Sequence, residues 1–306
     1  MTLFAPISEG RDDCKAGEAP ARSRASLSRV NTTAASAPSD APLASTRIGE
    51  GPRRVAFLHG LMGRGRNFTG PAKELGDDFT VELIDLPDHG ASPWTDRVDY
   101  REIADRVAAH LRAGLAADGP VHLLGHSMGG KVAMVLALRH PELVDRLIVE
   151  DISPRLSPQA TDEFVHLLGT MLRMDLDAYD SRAEADAAMA EHVHDARVRG
   201  FLLQNLRRTG GHFAWQPNVA MLFEHLREIG SFPDPVVPED PERVFDHPVL
   251  WLAGAESDYV QDEDVPRMKE LFPRVVRVTV RDAGHWLHAD QPEAFVSAVR
   301  TFLTAD

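Results

Sequence analysis

Cysteine is almost absent from this chain: Cys14 is the only one. No intrachain disulfide can form, and a cysteine-rich metal site is excluded. That usage fits a reducing cytoplasm. Long apolar runs are missing too. The longest clean run covers residues 132–138, far below the roughly 18 residues of a membrane span. Positive charge is in deficit, with Lys+Arg 33 against Asp+Glu 47 and a net charge of −14. An acidic balance of this size argues against nucleic acid or anionic membrane as the main partner. No apolar stretch follows a basic start, so a secretory signal is not expected.

What is there divides into two materials. Residues 1–42 are rich in Ala, Ser, Thr, Pro and Arg without helical or strand periodicity. Arg11, Lys15, Arg22, Arg24 and Arg29 balance Glu9, Asp12, Asp13, Glu18 and Asp40, so the −14 sits on the rest. The segment reads as a disordered tail; its acidic residues count against a transit peptide. From residue 43 the pattern alternates. Apolar runs over 54–58, 80–86, 121–124, 147–149, 249–253 and 275–280 predict strands. Helical spacing predicts helices over 100–117, 128–139, 265–272 and 292–303. Strands alternating with helices predict an α/β fold, a mostly parallel central sheet flanked by helices. The core is expected over 43–153 and 247–306. Between them, 154–246 carries helical patterns and no convincing strand, and reads as a helical cap inserted over the sheet's C-terminal edge. Phe164, Met171, Phe201 and Trp215 lie in it, apolar enough to line a pocket or to pack it onto the sheet.

The residues that carry chemistry are Gly125-His126-Ser127-Met128-Gly129. This is G-x-S-x-G directly after a predicted strand and directly before a predicted helix, the context in which a strained turn presents a serine hydroxyl. A serine needs a base. Among 14 histidines, His285 in Ala283-Gly284-His285-Trp286 stands after the last strand, where such enzymes place it. His288 reads as packing or surface, and the His192/His194 pair as a solvated face. Two backbone amides must hold the oxyanion. Met128 supplies one, and Leu61, in the loop His59-Gly60-Leu61-Met62-Gly63, the other.

With these landmarks in order, and with Asp85-Leu86-Pro87-Asp88-His89-Gly90 between them, residues 43–304 resemble the α/β-hydrolase superfamily. Asp151-Ile152-Ser153-Pro154 and Gly284-His285-Trp286-Leu287-His288 resemble a narrower group of small bacterial esterases and a related mitochondrial hydrolase. The resemblance implies cleavage of acyl esters or thioesters by a Ser-His-Asp triad, without metal or organic cofactor. The superfamily's first strand is missing or displaced into the long tail. The acid has two candidates. Gly254-Ala255-Glu256-Ser257-Asp258 puts Ser257 where the superfamily places its acid, with Asp258 one residue out of register. The narrower group can place the acid after the preceding strand, which is Asp151. The expected set is Ser127, His285 and Asp151, with Asp258 as the competitor. The expected partner is a small acyl ester or thioester. Acyltransfer, perhydrolysis or C–C bond hydrolysis by the same triad, or a silent binding protein on the same fold, are the alternatives.

Overall fold

The computed structural model describes residues 41–156 and 158–305. The tail reading and Cys14 lie outside the described residues, up to residue 40. Among the described residues the strands are β1 (Ser45–Ile48), β2 (Arg53–Leu58), β3 (Phe79–Ile84), β4 (Val121–His126), β5 (Val144–Glu150), β6 (Leu206–Thr209), β7 (His212–Trp215), β8 (Val249–Gly254) and β9 (Val275–Val280). The helices are α1 (Thr69–Leu75), α2 (Tyr100–Ala113), α3 (Met128–Arg139), α4 (Pro158–Arg173), α5 (Arg182–Ala190), α6 (Ala196–Leu203), α7 (Val219–Glu224), α8 (Leu226–Gly230), α9 (Val265–Leu271), α10 (Leu287–Asp290) and α11 (Pro292–Thr304). Seven strands form one sheet in the order β1-β3-β2-β4-β5-β8-β9. All pairings are parallel except β1 with β3.

The strand period of two sorts the core into two layers. Val55 and Phe57 of β2 join Phe68, Leu75, Phe295 and Val299 on the face covered by α1 and α11. Ala56 and Leu58 join Val107, Val132 and Leu136 on the face covered by α2 and α3. The strand order reverses beside β2, which lies between β3 and β4. Crevices at such a switch point, beyond the strands' C-terminal ends, are where open α/β sheets bind ligands. The register Leu58↔Gly125 brings the ends of β2 and β4 level, so the loop at Leu61 and the turn at Ser127 are neighbours by construction.

Three expectations need correction. The segment 154–246 is not purely helical: β6 and β7 form a hairpin in register Leu206↔Trp215 to Thr209↔His212. Its turn is Gly210-Gly211 with φ +59 and +93, values that a tight two-residue hairpin turn demands and glycine supplies. Second, an antiparallel edge strand is present at the front, over Ser45–Ile48. Its Ser-Thr-Arg is exposed and polar, so it carried no apolar alternation. Third, the helical pattern within 154–246 is interrupted at His225, where α7 gives way to α8.

The inserted elements are tied to the loop after β2 and to α2 and α3 by long-range hydrogen bonds. Asn205 Nδ2 donates to Met62 O at 2.7 Å and Tyr100 Oη to Ile229 O at 2.6 Å. Lys131 Nζ reaches Gly230 O at 2.6 Å, Ser231 O at 2.9 Å and Arg155 O at 3.1 Å.

Candidate active site

At the end of β4 the chain turns sharply into α3. Ser127 stands at φ 52, ψ −120, a conformation that costs a side-chain-bearing residue on the order of 1–3 kcal/mol. The surroundings hold it there. Ser127 N donates to Glu150 O at 3.0 Å, and Ser127 O accepts from Lys131 N at 3.1 Å. The glycines are steric necessities. A Cβ on Gly125 would lie 2.2 Å from Gly129 O, and one on Gly129 would lie 2.4 Å from Leu58 O.

The loop after β2 is fixed by two buried histidines. His59 Nδ1–H donates to Gly60 O at 2.8 Å while its Nε2 accepts from Leu86 N at 3.0 Å. His89 Nδ1–H donates to Pro87 O at 2.9 Å while its Nε2 accepts from Met62 N at 3.1 Å. Each ring needs one bare nitrogen, so both are neutral. Burial enforces this, pulling His59 down to about 4 and His89 down to about 3. Asn205 clamps Met62 O from the inserted segment, and Met62 itself has φ 60. Leu61, Ser127 and Met128 border one small apolar cavity with Ile152, Phe164, Leu226 and Ile229.

His285 follows β9 in the loop before α10. Its Nδ1–H donates to Asp151 Oδ2 at 2.8 Å. Asp151 is fully buried, and its carboxylate is saturated: Oδ1 accepts from Gly254 N at 2.8 Å, and Oδ2 also accepts from Ser257 Oγ. Asp151 has φ 49, so both Ser127 and Asp151 leave their strands through left-handed turns. The Tyr259 ring stacks on His285 with centroids 3.8 Å apart and planes 17° off parallel. Asp258, by contrast, is exposed and has no hydrogen bond or ion pair to His285 among the described residues.

A cleft of about 730 Å³ opens over this set. Its walls include Gly60, Leu61, Ser127, Phe164, Phe201, Tyr259, His285 and Trp286. Glu163, Glu256, Asp282 and an Arg197–Asp290 ion pair also border it. Met171 is instead buried in the core, and Trp215 packs against it. His192 and His194 are exposed.

Sequence reasoning missed several neighbours. His288 is a contact of Glu150 rather than surface, with Nδ1 2.8 Å from Glu150 Oε1. His126 Nε2–H donates to His285 O at 2.8 Å. His126, Glu150 and His288 keep ligand-type atoms within 4.8 Å of one another, but His126 spends its Nε2 proton on a carbonyl and Glu150 Oε1 is taken by His288. Their positions beside Ser127, Asp151 and His285 in the chain were the only available signal.

Comparison with known proteins gives the family. The model of the alpha/beta hydrolase family matches residues 55–298. The chain belongs to the alpha/beta hydrolase family. It is 36% identical over 256 residues to the sn-1-specific diacylglycerol lipase ABHD11 of Mus musculus, covering 81% of this chain and 80% of that one. It is 28% identical over 252 residues to Esterase YbfF of Escherichia coli, covering 81% and 92%. A solved marine microorganism esterase superposes with a TM-score of 0.80 at 33% identity, covering 85% of this chain and 99% of that one. No helix among the described residues is long and apolar enough to cross a membrane.

Proposed function

We propose that this alpha/beta hydrolase cleaves carboxylic (acyl) esters through an acyl-enzyme on Ser127. The observation that carries the reading is the buried Asp151 carboxylate bonded to His285 Nδ1. That bond selects the tautomer with a bare Nε2, the form that takes a proton. Names of relatives similar over four-fifths of the chain point to the same chemistry.

In this reading Ser127 Oγ attacks the ester carbonyl carbon and its proton passes to His285 Nε2. Asp151 stabilises the imidazolium. The amides of Leu61 and Met128 hold the oxyanion. Collapse breaks the bond to the alcohol, which leaves with the proton from His285. Water then attacks the acyl-enzyme, giving a proton to His285; the Oγ–acyl bond breaks, His285 returns the proton to Ser127 Oγ, and the carboxylic acid is released. Neutral thioesters follow the same route with a thiol leaving. The apolar cavity at Leu61, Ile152 and Phe164 receives the start of the acyl chain, and the inserted segment acts as the cap. The single cysteine suits the cytoplasm.

The test is a fluorophosphonate probe with an activated ester. Wild type should label once, at Ser127, and lose turnover in step with labelling; Ser127→Ala should do neither. A silent binder would leave Ser127 unlabelled and the ester intact.

A further inference from the structure

Ser127 and Asp151 are each preceded by a polar residue, His126 and Glu150; His126 and His288 also border the cleft, and Glu150 is not among its walls. His288 lies three positions after His285. These three meet beneath the catalytic set, against Phe68 and Phe295. The Phe68 and His288 rings lie 4.4 Å apart, and the His126 and His288 rings 5.1 Å apart. Glu150 is fully buried. Its Oε1 accepts from His288 N at 3.1 Å and from His288 Nδ1 at 2.8 Å, while Oε2 has no partner.

A buried, half-satisfied carboxylate is poor material for stability, since an apolar residue of similar volume serves as well or better. What it does here is hold the far side of the His285 loop. That loop is pinned on three sides. Asp290 Oδ2 accepts from Gly284 N at 2.9 Å before the histidine, His126 Nε2–H donates to His285 O, and Glu150 grips His288 after it. Burial, then the neighbouring His285 and His288, hold His126 well below the usual imidazole range, so it donates this bond as a neutral ring. Its other side abuts the oxyanion loop: a Cβ on Gly60 would lie 2.9 Å from His126 Nδ1 and 3.2 Å from Ser127 Cβ.

We infer that Glu150, acting through His288 and together with His126, is a positioning residue that sets His285 against Asp151 and Ser127. The inference rests on the triad reading above. A catalytic group displaced by about 1 Å loses on the order of a hundredfold in rate. Glu150 is buried away from the cleft and touches no substrate, so the loss on its removal falls on kcat and not on KM.

The experiment counts active serines with the fluorophosphonate probe and measures kcat per labelled Ser127, KM and the pH profile. Glu150→Ala and His288→Phe should each lower kcat per labelled serine by about thirtyfold or more, and in Glu150→Ala KM should stay within about threefold. Both should displace the rising limb of kcat/KM. Glu150→Gln, whose amide oxygen still accepts from His288, should recover to within about fivefold. His288→Phe keeps a ring among Phe68 and Phe295 and decides the matter if Glu150→Ala fails to fold. Full labelling with kcat per serine unchanged in His288→Phe would overturn the inference and leave the triad standing. Absent labelling in wild type would overturn the triad itself.

Discussion

Ser257 and Asp258 are neighbours that do different things. Ser257 turns its hydroxyl onto Asp151 Oδ2, and Asp258 faces solvent. In the proposed triad the acid stands one strand across the sheet from the superfamily's usual place, and the Ser257 hydroxyl at that usual place bonds to it. Asp151→Asn should therefore lose about 10⁴ in kcat while remaining folded, because the amide cannot hold the same tautomer. Asp258→Asn should lose less than about tenfold, and Ser257→Ala should fall between the two. The check is kcat on one activated ester with circular dichroism on each variant; a dead Asp258→Asn beside an active Asp151→Asn would reverse the assignment. His59 and His89 allow a second prediction. Their folded pKa values lie near 4 and 3, below about 6.5 for an unfolded histidine. Their contribution is thus complete above about pH 6.5 and is lost as pH falls toward 4, by a few kcal/mol in order of magnitude. His89→Gln keeps a donor and an acceptor without a proton to gain. Its Tm should fall less steeply than wild type between those pH values, and an unchanged slope would refute the account.

Legibility in the sequence stops at a definable point among the elements. Strands buried on both faces, such as Ala56 to Leu58 and Leu123 to Leu124, announce themselves as apolar runs, and the elbow does so through its glycines. The hairpin β6–β7 does not. Each strand has four residues, too short for periodicity, and Gly210-Gly211 was its one local signal. Ser45–Ile48 pairs at an edge with exposed polar residues, which carry no apolar alternation to mark a strand. The partners of Asp151 and Glu150 stand over a hundred residues away, so they depend on sheet order rather than on spacing. Lys131 is the same kind of residue. It lies in α3, fully buried, with three backbone carbonyls as its acceptors, two of them at the end of α8. Lys131→Met leaves those carbonyls without their donor, at a cost of about 2–4 kcal/mol, and should loosen the cap before the sheet. Burial, then Arg155, draws the Lys131 pKa down to about 7. Its contribution to stability therefore grows as pH rises from 7 toward about 10.5 and is lost on the way down. Thermal melts of wild type and Lys131→Met across that window should diverge with rising pH; parallel curves would show that the side chain is not buried as described.

At the scale of the whole molecule the acidic balance becomes a question of substrate. The tail is neutral, so the −14 belongs to the body that carries the cleft. At the cleft, Arg197 is occupied by Asp290, which leaves Glu163, Glu256 and Asp282 as a negative border. A field of one sign around a cleft raises the local concentration of opposite charge and lowers that of like charge. Thioester chemistry and thioester charge are thereby separable. A neutral short thioester such as S-butyryl-N-acetylcysteamine meets only the triad, whereas butyryl-coenzyme A must bring several phosphate charges past those carboxylates. The neutral compound should be turned over within about tenfold of the matching activated ester, and the coenzyme A ester should lag by a further factor of about ten or more. Raising salt from about 0.02 to 0.3 M shortens the Debye length severalfold, so the lag should shrink while the neutral substrates stay level. Glu163→Gln/Glu256→Gln/Asp282→Asn should shrink it at low salt without altering the neutral ester. A gap between the two thioesters that ignores both salt and these substitutions would mean that the shape of the cap, and not the charge at the cleft, selects the substrate.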